Sequence, residues 1–505
     1  MAVLGGTAGC RSSAPASKVV VIGLDGATWD LLDPWIEQGD LPNLEALSRR
    51  GAVSRLESVV PPISPPAWTS AVTGVNPGKH GIYDFWVRPS GSATTVPATS
   101  HERKVEAVWQ ILSRHGRKVG VINVPLTDPP DEVDGFMIAG FPHLDDEGYT
   151  YPAELQAEIG GYQLDDFGEM LQEGREAVLR DRLVQVFEAR ARTALRLMDE
   201  REWDLLWVVF MGPDKMQHYF WRFMDPEHPY YREDKAQALG QTIHDFWCRV
   251  DEVVGQMVSR LDEDTVVMAL SDHGFGPIYR EMRMRDWLIR EGFVNVEEGR
   301  VLAYYQGDFG GRIYLNVRGR EPGGVVQPGR PYRILREEIA SRLRRLVDEE
   351  TGVRPVTDVY FKEELYAGPY LDGAPDVVFS VLPGYFVIGG DGEPGSPVFG
   401  LPSFSFSAYH RRDGVLILSG GPVRRGVNLT PQPIAGVAPT VLYLLGVPLS
   451  ADMDGGVFVE ALEPECLVEH DIEFAEPVAL ATRDPRQVES LEERRRALKS
   501  VPYLR

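Results

Sequence analysis

Four short segments of this 505-residue chain carry side chains of the kind that bind divalent metals. Asp25 follows the apolar run at residues 19–22 through Gly-Leu. Asp214 and His218 lie four residues apart behind the apolar run at 205–211. Asp272 and His273 come directly after Ser271, behind the run at 266–270, and His410 stands in Ala-Tyr-His-Arg-Arg-Asp-Gly just ahead of Val415. Ligands of open α/β sheets bind beyond the carboxyl ends of strands, and these segments fall at or near such ends. Taken singly, each has a plainer explanation. Asp25 can cap a helix, Asp214 and His218 can form a solvent-facing helical pair, Asp272-His273 can occupy a turn, and His410 can be any loop histidine. The joint pattern is harder to dismiss, because the chain has only ten histidines and three of them fall in this arrangement. Mixed carboxylate and imidazole donors suit zinc, manganese or iron, whereas magnesium and calcium prefer all-oxygen shells.

A fifth segment, Pro61-Pro-Ile-Ser-Pro-Pro-Ala-Trp-Thr-Ser70, contributes a hydroxyl. Ser64 precedes Pro65 and reads as an N-cap with proline at the first helical position. From these ten residues alone, a cap is the preferred explanation. The same geometry places the hydroxyl in the positive potential of a helix N-terminus, where an alkoxide and an incoming phosphoryl group are both stabilised. A metal contact would lower its pKa further and make it a competent nucleophile.

The elements that must position these residues follow from periodicity. The ordered chain is expected to begin at Lys18. Its first run, Val-Val-Val-Ile, is apolar throughout, as a strand buried on both faces of a parallel sheet must be. Strand patterns recur at 119–123, 205–211, 266–270 and 414–418. Between them lie helical patterns at 41–50, 105–114, 175–200, 243–261 and 437–445. Residues 243–261 place Val250, Val253, Val254, Met257 and Leu261 on one stripe. Such alternation predicts an α/β fold: a mixed, mostly parallel sheet with helices on both sides. The expected division is a flexible N-terminal tail at 1–17, the first part of a catalytic core at 18–276 and an inserted cap subdomain at 277–405. The last part of the core follows at 406–460, with a C-terminal helical appendage at 461–505. The cap is expected to hold its own small sheet, with strand patterns at 312–317 and 377–381 and a helix around 334–349.

Composition narrows the function. The net charge is -23, from 52 basic and 75 acidic residues, which argues against a nucleic-acid-binding surface. Such a field repels an anionic substrate, so bound cations would have to supply local positive charge. No apolar stretch approaches the ~20 residues of a membrane-spanning helix. Cys10, Cys248 and Cys466 form no CxxC pair, which argues against a zinc-thiolate site or a disulfide framework. Cys248 lies in a helical pattern and reads as buried. At the N-terminus, Thr7-Ala8-Gly9-Cys10 resembles the cleavage box of a bacterial lipoprotein, yet only nine residues precede Cys10. Two locations stay open: a cytoplasmic protein with a disordered tail, or a periplasmic, membrane-anchored lipoprotein whose signal lacks its start. Oligomeric state is not indicated.

The ordered series is Gly-Leu-Asp-Gly, a hydroxyl followed by Pro ahead of Val-Thr-Gly-x-x-Pro-x-x-His-Gly, Asp-x-x-x-His, Ser-Asp-His-Gly and a late His. It resembles the type I phosphodiesterase/nucleotide pyrophosphatase branch of the alkaline phosphatase superfamily, over about residues 18–450. The resemblance implies two divalent ions, zinc first, with manganese or iron as alternatives. Asp25, Asp272 and His273 would bind the ion that also contacts Ser64. Asp214, His218 and His410 would bind the other. It further implies a small-molecule phosphate ester or nucleotide substrate, cleaved through a covalent phosphoserine on Ser64. The same residues would serve a phosphomonoesterase, a phosphotransferase or a non-catalytic metal-binding member of the fold. Two departures stand out. Nucleotide pyrophosphatases usually carry threonine where Ser64 stands, and an asparagine whose amide donates to a phosphate oxygen. Beside Ser64 the chain offers Pro65, Pro66, Ala67 and Trp68, so the backbone amides of Ala67 and Trp68 are the nearest substitutes. Trp68, Lys79, His80, Lys215 and Arg412 are further candidates, each more simply read as a packing or surface residue. The Ser64-Pro-Pro-Ala-Trp context lacks the arginine that sulfatases require.

Overall fold

The computed structural model describes residues 16–87, 95–143, 147–164, 174–294, 299–305, 310–389, 392, 395–402 and 406–478. The sequence readings on Cys10 and the N-terminal cleavage box, and most of those on 479–505, lie outside these residues.

A ten-stranded sheet organises the chain. Its centre is β1 (Val19–Leu24), and every residue of that strand is buried. Along it the side chains alternate between two cores, as a strand's two-residue period requires. Val20, Ile22 and Leu24 face one core, and Val19 and Val21 face the other. Helix α1 (Ser64–Thr73) belongs to the second side and is buried along its whole length. Strand β2 (Val119–Val124) pairs in parallel with β3 (Leu205–Phe210), and β3 pairs in parallel with β1. Helix α2 (Gly212–Met224) follows β3 directly. On its other edge β1 pairs in parallel with β4 (Val266–Leu270). The sheet is therefore mostly parallel, with helices on both faces, as the alternating pattern predicts.

Antiparallel strands make it mixed. After β4 the chain leaves the sheet as β5 (Gly274–Arg283), which pairs antiparallel with β6 (Ala408–Arg411) outside it. The chain then re-enters as β7 (Asp413–Ser419), antiparallel to both β4 and Gly51–Glu57. Between β5 and β6 lies a smaller antiparallel sheet of Val301–Tyr305, Arg312–Leu315, Val377–Val381 and Val356–Phe361. The helix Arg330–Leu343 packs there in a separate apolar cluster that includes Ile313, Leu315, Ile339, Leu343 and Phe379. This segment is clasped to the main sheet. Arg312 donates to Asp84 at 2.5 Å, both side chains being buried, and the Tyr366 hydroxyl donates to the Val60 carbonyl at 2.7 Å.

Past residue 460, the described chain forms the short helix Pro464–Glu469. The strand Phe474–Ala475 then pairs with Leu449–Ser450. Cys466 is buried, whereas Cys248 is only half-buried, since its helical position faces the margin of the stripe. Among the described residues no helix is long and apolar enough to cross a membrane.

Candidate metal and nucleophile site

The four ligand segments and Ser64 converge at the carboxyl ends of β1, β3 and β4. Asp25 follows β1, and its backbone N–H donates to Phe210 at the end of β3. Asp214 lies in the first turn of α2, where the helix dipole favours a carboxylate, and His218 follows one turn later on the same face. These two are a helical pair, but a buried one. Asp272 and His273 occupy the tight link between β4 and β5 and are wholly buried. Gly274 is required there, because a Cβ at that position would lie 2.1 Å from the Asp413 carbonyl oxygen. His410 arrives through strand pairing: in the β5–β6 ribbon it stands opposite Phe275, next to the Asp272-His273 link.

Asp214, His218 and His410 form a compact triangle. Asp214 Oδ1 lies 3.2 Å from His218 Nε2 and 3.2 Å from His410 Nε2, and the two nitrogens are 3.1 Å apart. Donors about 2.0–2.1 Å from a tetrahedral zinc are separated by roughly 3.3 Å, so the triangle has the dimensions of one face of such a site. A second group gathers around His273. Its Nε2 is 3.2 Å from Asp272 Oδ2, 3.7 Å from Asp25 Oδ1 and 3.4 Å from Ser64 Oγ. Asp214 stands between the two groups, since it also comes within 4.8 Å of donor atoms on Asp25 and His273.

The tautomers follow from the outer bonds. Nδ1 of His218 faces the Ala408 carbonyl at 2.9 Å, Nδ1 of His273 the Gly274 carbonyl at 3.2 Å and Nδ1 of His410 the Pro62 carbonyl at 3.1 Å. A carbonyl only accepts, so each Nδ1 carries a proton and Nε2 is the nitrogen turned inward, where the neutral form of the ring presents a lone pair. Backbone partners of this kind fix the orientation of metal-binding imidazoles. Packing holds the rings in place as well. His273 stacks on His410 with centroids 3.6 Å apart, and His218 stacks on Phe406 at 4.3 Å.

The electrostatics also call for a cation. Burial pushes the Asp272 carboxyl well above the usual carboxylate range, and the charges of Asp25 and Asp214 push it further. Burial likewise holds His273 far below the ordinary imidazole value and His410 at about 4. Burial works against the Asp214 carboxylate too, and positive charge at His218 and His410 is what outweighs it and holds its pKa well below normal, the charge that a bound cation would supply. Converging lone pairs and buried carboxylates with no balancing charge are costly, and divalent ions offset that cost. The donor set therefore fits the ions expected from the sequence.

Ser64 differs in one respect from the sequence reading. It is the first residue of α1, the N-cap is Ile63, and no side-chain cap bond forms. Its hydroxyl is turned toward His273 instead. The expected backbone donors are also reduced, because the Ala67 N–H donates to the Ile63 carbonyl within the helix. Lys79 is held by Asp454 and the Asp452 carbonyl, and Arg412 pairs with Glu57. Lys215 is buried, its ammonium 5.0 Å from the centroid of the Phe141 ring. Trp68 is the residue that sequence reasoning undervalued, because its indole N–H donates to Asp25 Oδ2 at 2.8 Å.

His80, in the His-Gly motif after α1, has a structural role. Its Nδ1 accepts from the Ile82 N–H at 3.1 Å, so Nε2 bears the proton and donates to Ser70 Oγ at 2.9 Å. Burial, aided by the charge of Arg103, lowers its pKa to about 3. Because the unfolded imidazole titrates near the ordinary value, the unfolded chain takes up this proton first as pH falls. The stabilisation is complete above about pH 6.5 and is lost progressively toward pH 3, on the order of a few kcal/mol in all. Between pH 7 and 4 the thermal midpoint of the wild type should fall more steeply than that of His80→Gln. Parallel profiles would refute the assignment.

No curated protein matches the chain. Among solved structures it resembles murine ectonucleotide pyrophosphatase/phosphodiesterase 5, in an inactive form in complex with AMP, at 15% identity and a TM-score of 0.57. That match covers 88% of this chain and 100% of the other. The human form of the same protein matches at 14% identity and a TM-score of 0.52, over 88% of this chain and 98% of the other. At such identities the likeness establishes the fold, an alkaline-phosphatase-like mixed sheet. The family model for type I phosphodiesterase/nucleotide pyrophosphatase matches residues 19–410, which include Asp25, Ser64, both central motifs and His410. The chain belongs to the type I phosphodiesterase/nucleotide pyrophosphatase family.

Proposed function

We propose that the chain is a two-metal phosphodiesterase or nucleotide pyrophosphatase that works through a covalent phosphoserine on Ser64. One observation carries this reading: the Ser64 hydroxyl, at the head of a buried helix, lies 3.4 Å from His273 Nε2, inside a ring of buried donors. Asp25, Asp272 and His273, together with Ser64, would hold one ion, and Asp214, His218 and His410 the other. Zinc suits this set first. When bound, the ions would polarise phosphate oxygens and lower the pKa values of the serine hydroxyl and of water.

The chain's own residues account for the rest. Ser64 Oγ, deprotonated, attacks phosphorus in line, and the alcohol or nucleotide leaves from the opposite side. Water then cleaves the phosphoserine and restores the hydroxyl. The N-terminal end of α1 stabilises the negative charge that gathers at Ser64. Pro65 and Pro66 lack N–H groups, and the Ala67 amide is engaged in the helix, so the backbone adds few donors there. The carbonyls that hold each Nδ1 proton fix which nitrogen turns inward, and burial disfavours the charged forms of His273 and His410, which leaves Nε2 available as a donor atom. The inserted cap, taken as residues 277–405 between core segments 18–276 and 406–460, would read the alcohol side of the substrate. The AMP complex of the murine fold relative supports a nucleotide-sized ester.

Protein reloaded with zinc or manganese should hydrolyse bis-p-nitrophenyl phosphate faster than p-nitrophenyl phosphate. Preference for the monoester would make it a phosphomonoesterase, product transfer to an added alcohol a phosphotransferase. Bound metal without turnover on any phosphoester would make it a non-catalytic member of the fold.

A further inference from the structure

We infer that Trp68 is a positioning residue that sets how Asp25 presents its carboxylate, and that it ties this carboxylate to the helix bearing Ser64. The inference rests on the proposed role of Asp25 as a metal ligand. Trp68 lies four residues after Ser64, so the hydroxyl and the indole project from the same face of α1. The indole is wholly buried, and its N–H donates to Asp25 Oδ2 at 2.8 Å. The other oxygen, Oδ1, is the one that faces His273 Nε2, at 3.7 Å.

The two oxygens are thereby given different tasks. A carboxylate with both oxygens available can rotate or bind a cation through either or both. One oxygen held by a buried N–H leaves the other as the inward donor, in a fixed direction. Hydrogen bonds to the far side of a ligand act in this way throughout metal sites.

The strand is shaped to receive the ring. A Cβ on Gly23, two residues before Asp25, would lie 2.5 Å from the indole Cη2 and 3.2 Å from Cζ2. Only glycine leaves room for the indole against β1 at the place where its nitrogen reaches the residue after the strand. Gly23, Asp25, Ser64 and Trp68 thus form one unit: a notch in the strand, a ligand, a nucleophile, and a ring that fixes the distance between the last two. Any shift of α1 would move Ser64 and the Asp25 carboxylate together.

The test compares three side chains at position 68 in the full-length protein. Trp68→Phe removes the N–H and part of the ring. Benzothienylalanine keeps the indole shape but has sulfur in place of the N–H. Fluorotryptophan keeps both shape and N–H. Zinc affinity is read by chelator competition, together with kcat and the melting temperature of the metal-free form. Trp68→Phe and the benzothienyl variant should each bind one of the two zinc ions, the one assigned to Asp25, about 10- to 100-fold less tightly, with a matching fall in kcat. The fluorotryptophan protein should behave as wild type. The metal-free melting temperature should fall less in the benzothienyl variant, which loses only the hydrogen bond to Asp25, than in Trp68→Phe, which loses packing as well. Wild-type affinity in the benzothienyl variant would overturn the inference. Asp25→Ala separates the two readings. If it leaves zinc stoichiometry unchanged, Asp25 is not a ligand and the proposed site itself fails. If it removes an ion while the benzothienyl variant binds normally, only the role of Trp68 fails.

Discussion

Ser64→Ala should lose at least about 10³-fold in turnover while retaining its metal content and fold. The expectation follows from what the hydroxyl does not do in the structure. It makes no cap bond with α1, so its removal does not cost the helix a terminus. It is buried and faces His273 Nε2 at 3.4 Å, a position where alanine leaves only a small void. Stability should therefore change little, and the loss should appear almost wholly in kcat. A rapid-quench experiment with phosphorus-labelled diester supplies the complementary readout, since the wild type should trap label on protein in acid and the variant should not. Full activity in Ser64→Ala would remove the covalent route, and a direct attack by water would have to replace it.

The second large effect is expected at Asp214. Its Oδ1 is 3.2 Å from both His218 and His410, and it lies between the two donor groups. Asp214→Ala takes away the one negative charge of the triangle and leaves two imidazole nitrogens 3.1 Å apart with lone pairs opposed. Metal content measured by atomic emission should drop by at least one ion per chain, and turnover should fall by about 100-fold or more. The wild type treated with a strong chelator should show the same loss, reversed by zinc. Metal removal should also lower the melting temperature. An ion present at 1,000 times its dissociation constant contributes about 4 kcal/mol to the folded state. Two retained ions and full turnover in Asp214→Ala would show that the triangle is not a metal site.

Much of this was legible before any coordinates, and the reason is physical. A strand buried on both faces must be apolar throughout, so residues 19–22, 205–211 and 266–270 stand out without knowledge of their partners. Residues of rare type at strand ends are conspicuous, so Asp25, Asp214, His218, Asp272, His273 and His410 could be singled out and ordered. Ser64 was visible only as a hydroxyl before proline. At that level it looked like a cap, because local pattern cannot distinguish the N-cap from the first helical residue one position later.

What the sequence by itself determined is the alternation of strands and helices, the identity of the donor side chains and the family they mark. Only the tertiary structure decided how those side chains face one another. His218 and His410 are 192 positions apart, and they meet because β6 docks against α2, where the Ser407 N–H donates to the His218 carbonyl and His218 Nδ1 donates to the Ala408 carbonyl. Which imidazole nitrogen points inward was decided by carbonyls at Pro62, Gly274 and Ala408, two of them remote in sequence from the ring they hold. Trp68 changed from a packing residue to a partner of Asp25 because Gly23 admits its ring. Periodicity is a local property of the chain, fixed by the pitch of helix and strand. Hydrogen-bond direction, ligand spacing and charge balance are set by contacts between distant segments, and those exist only once the sheet has formed.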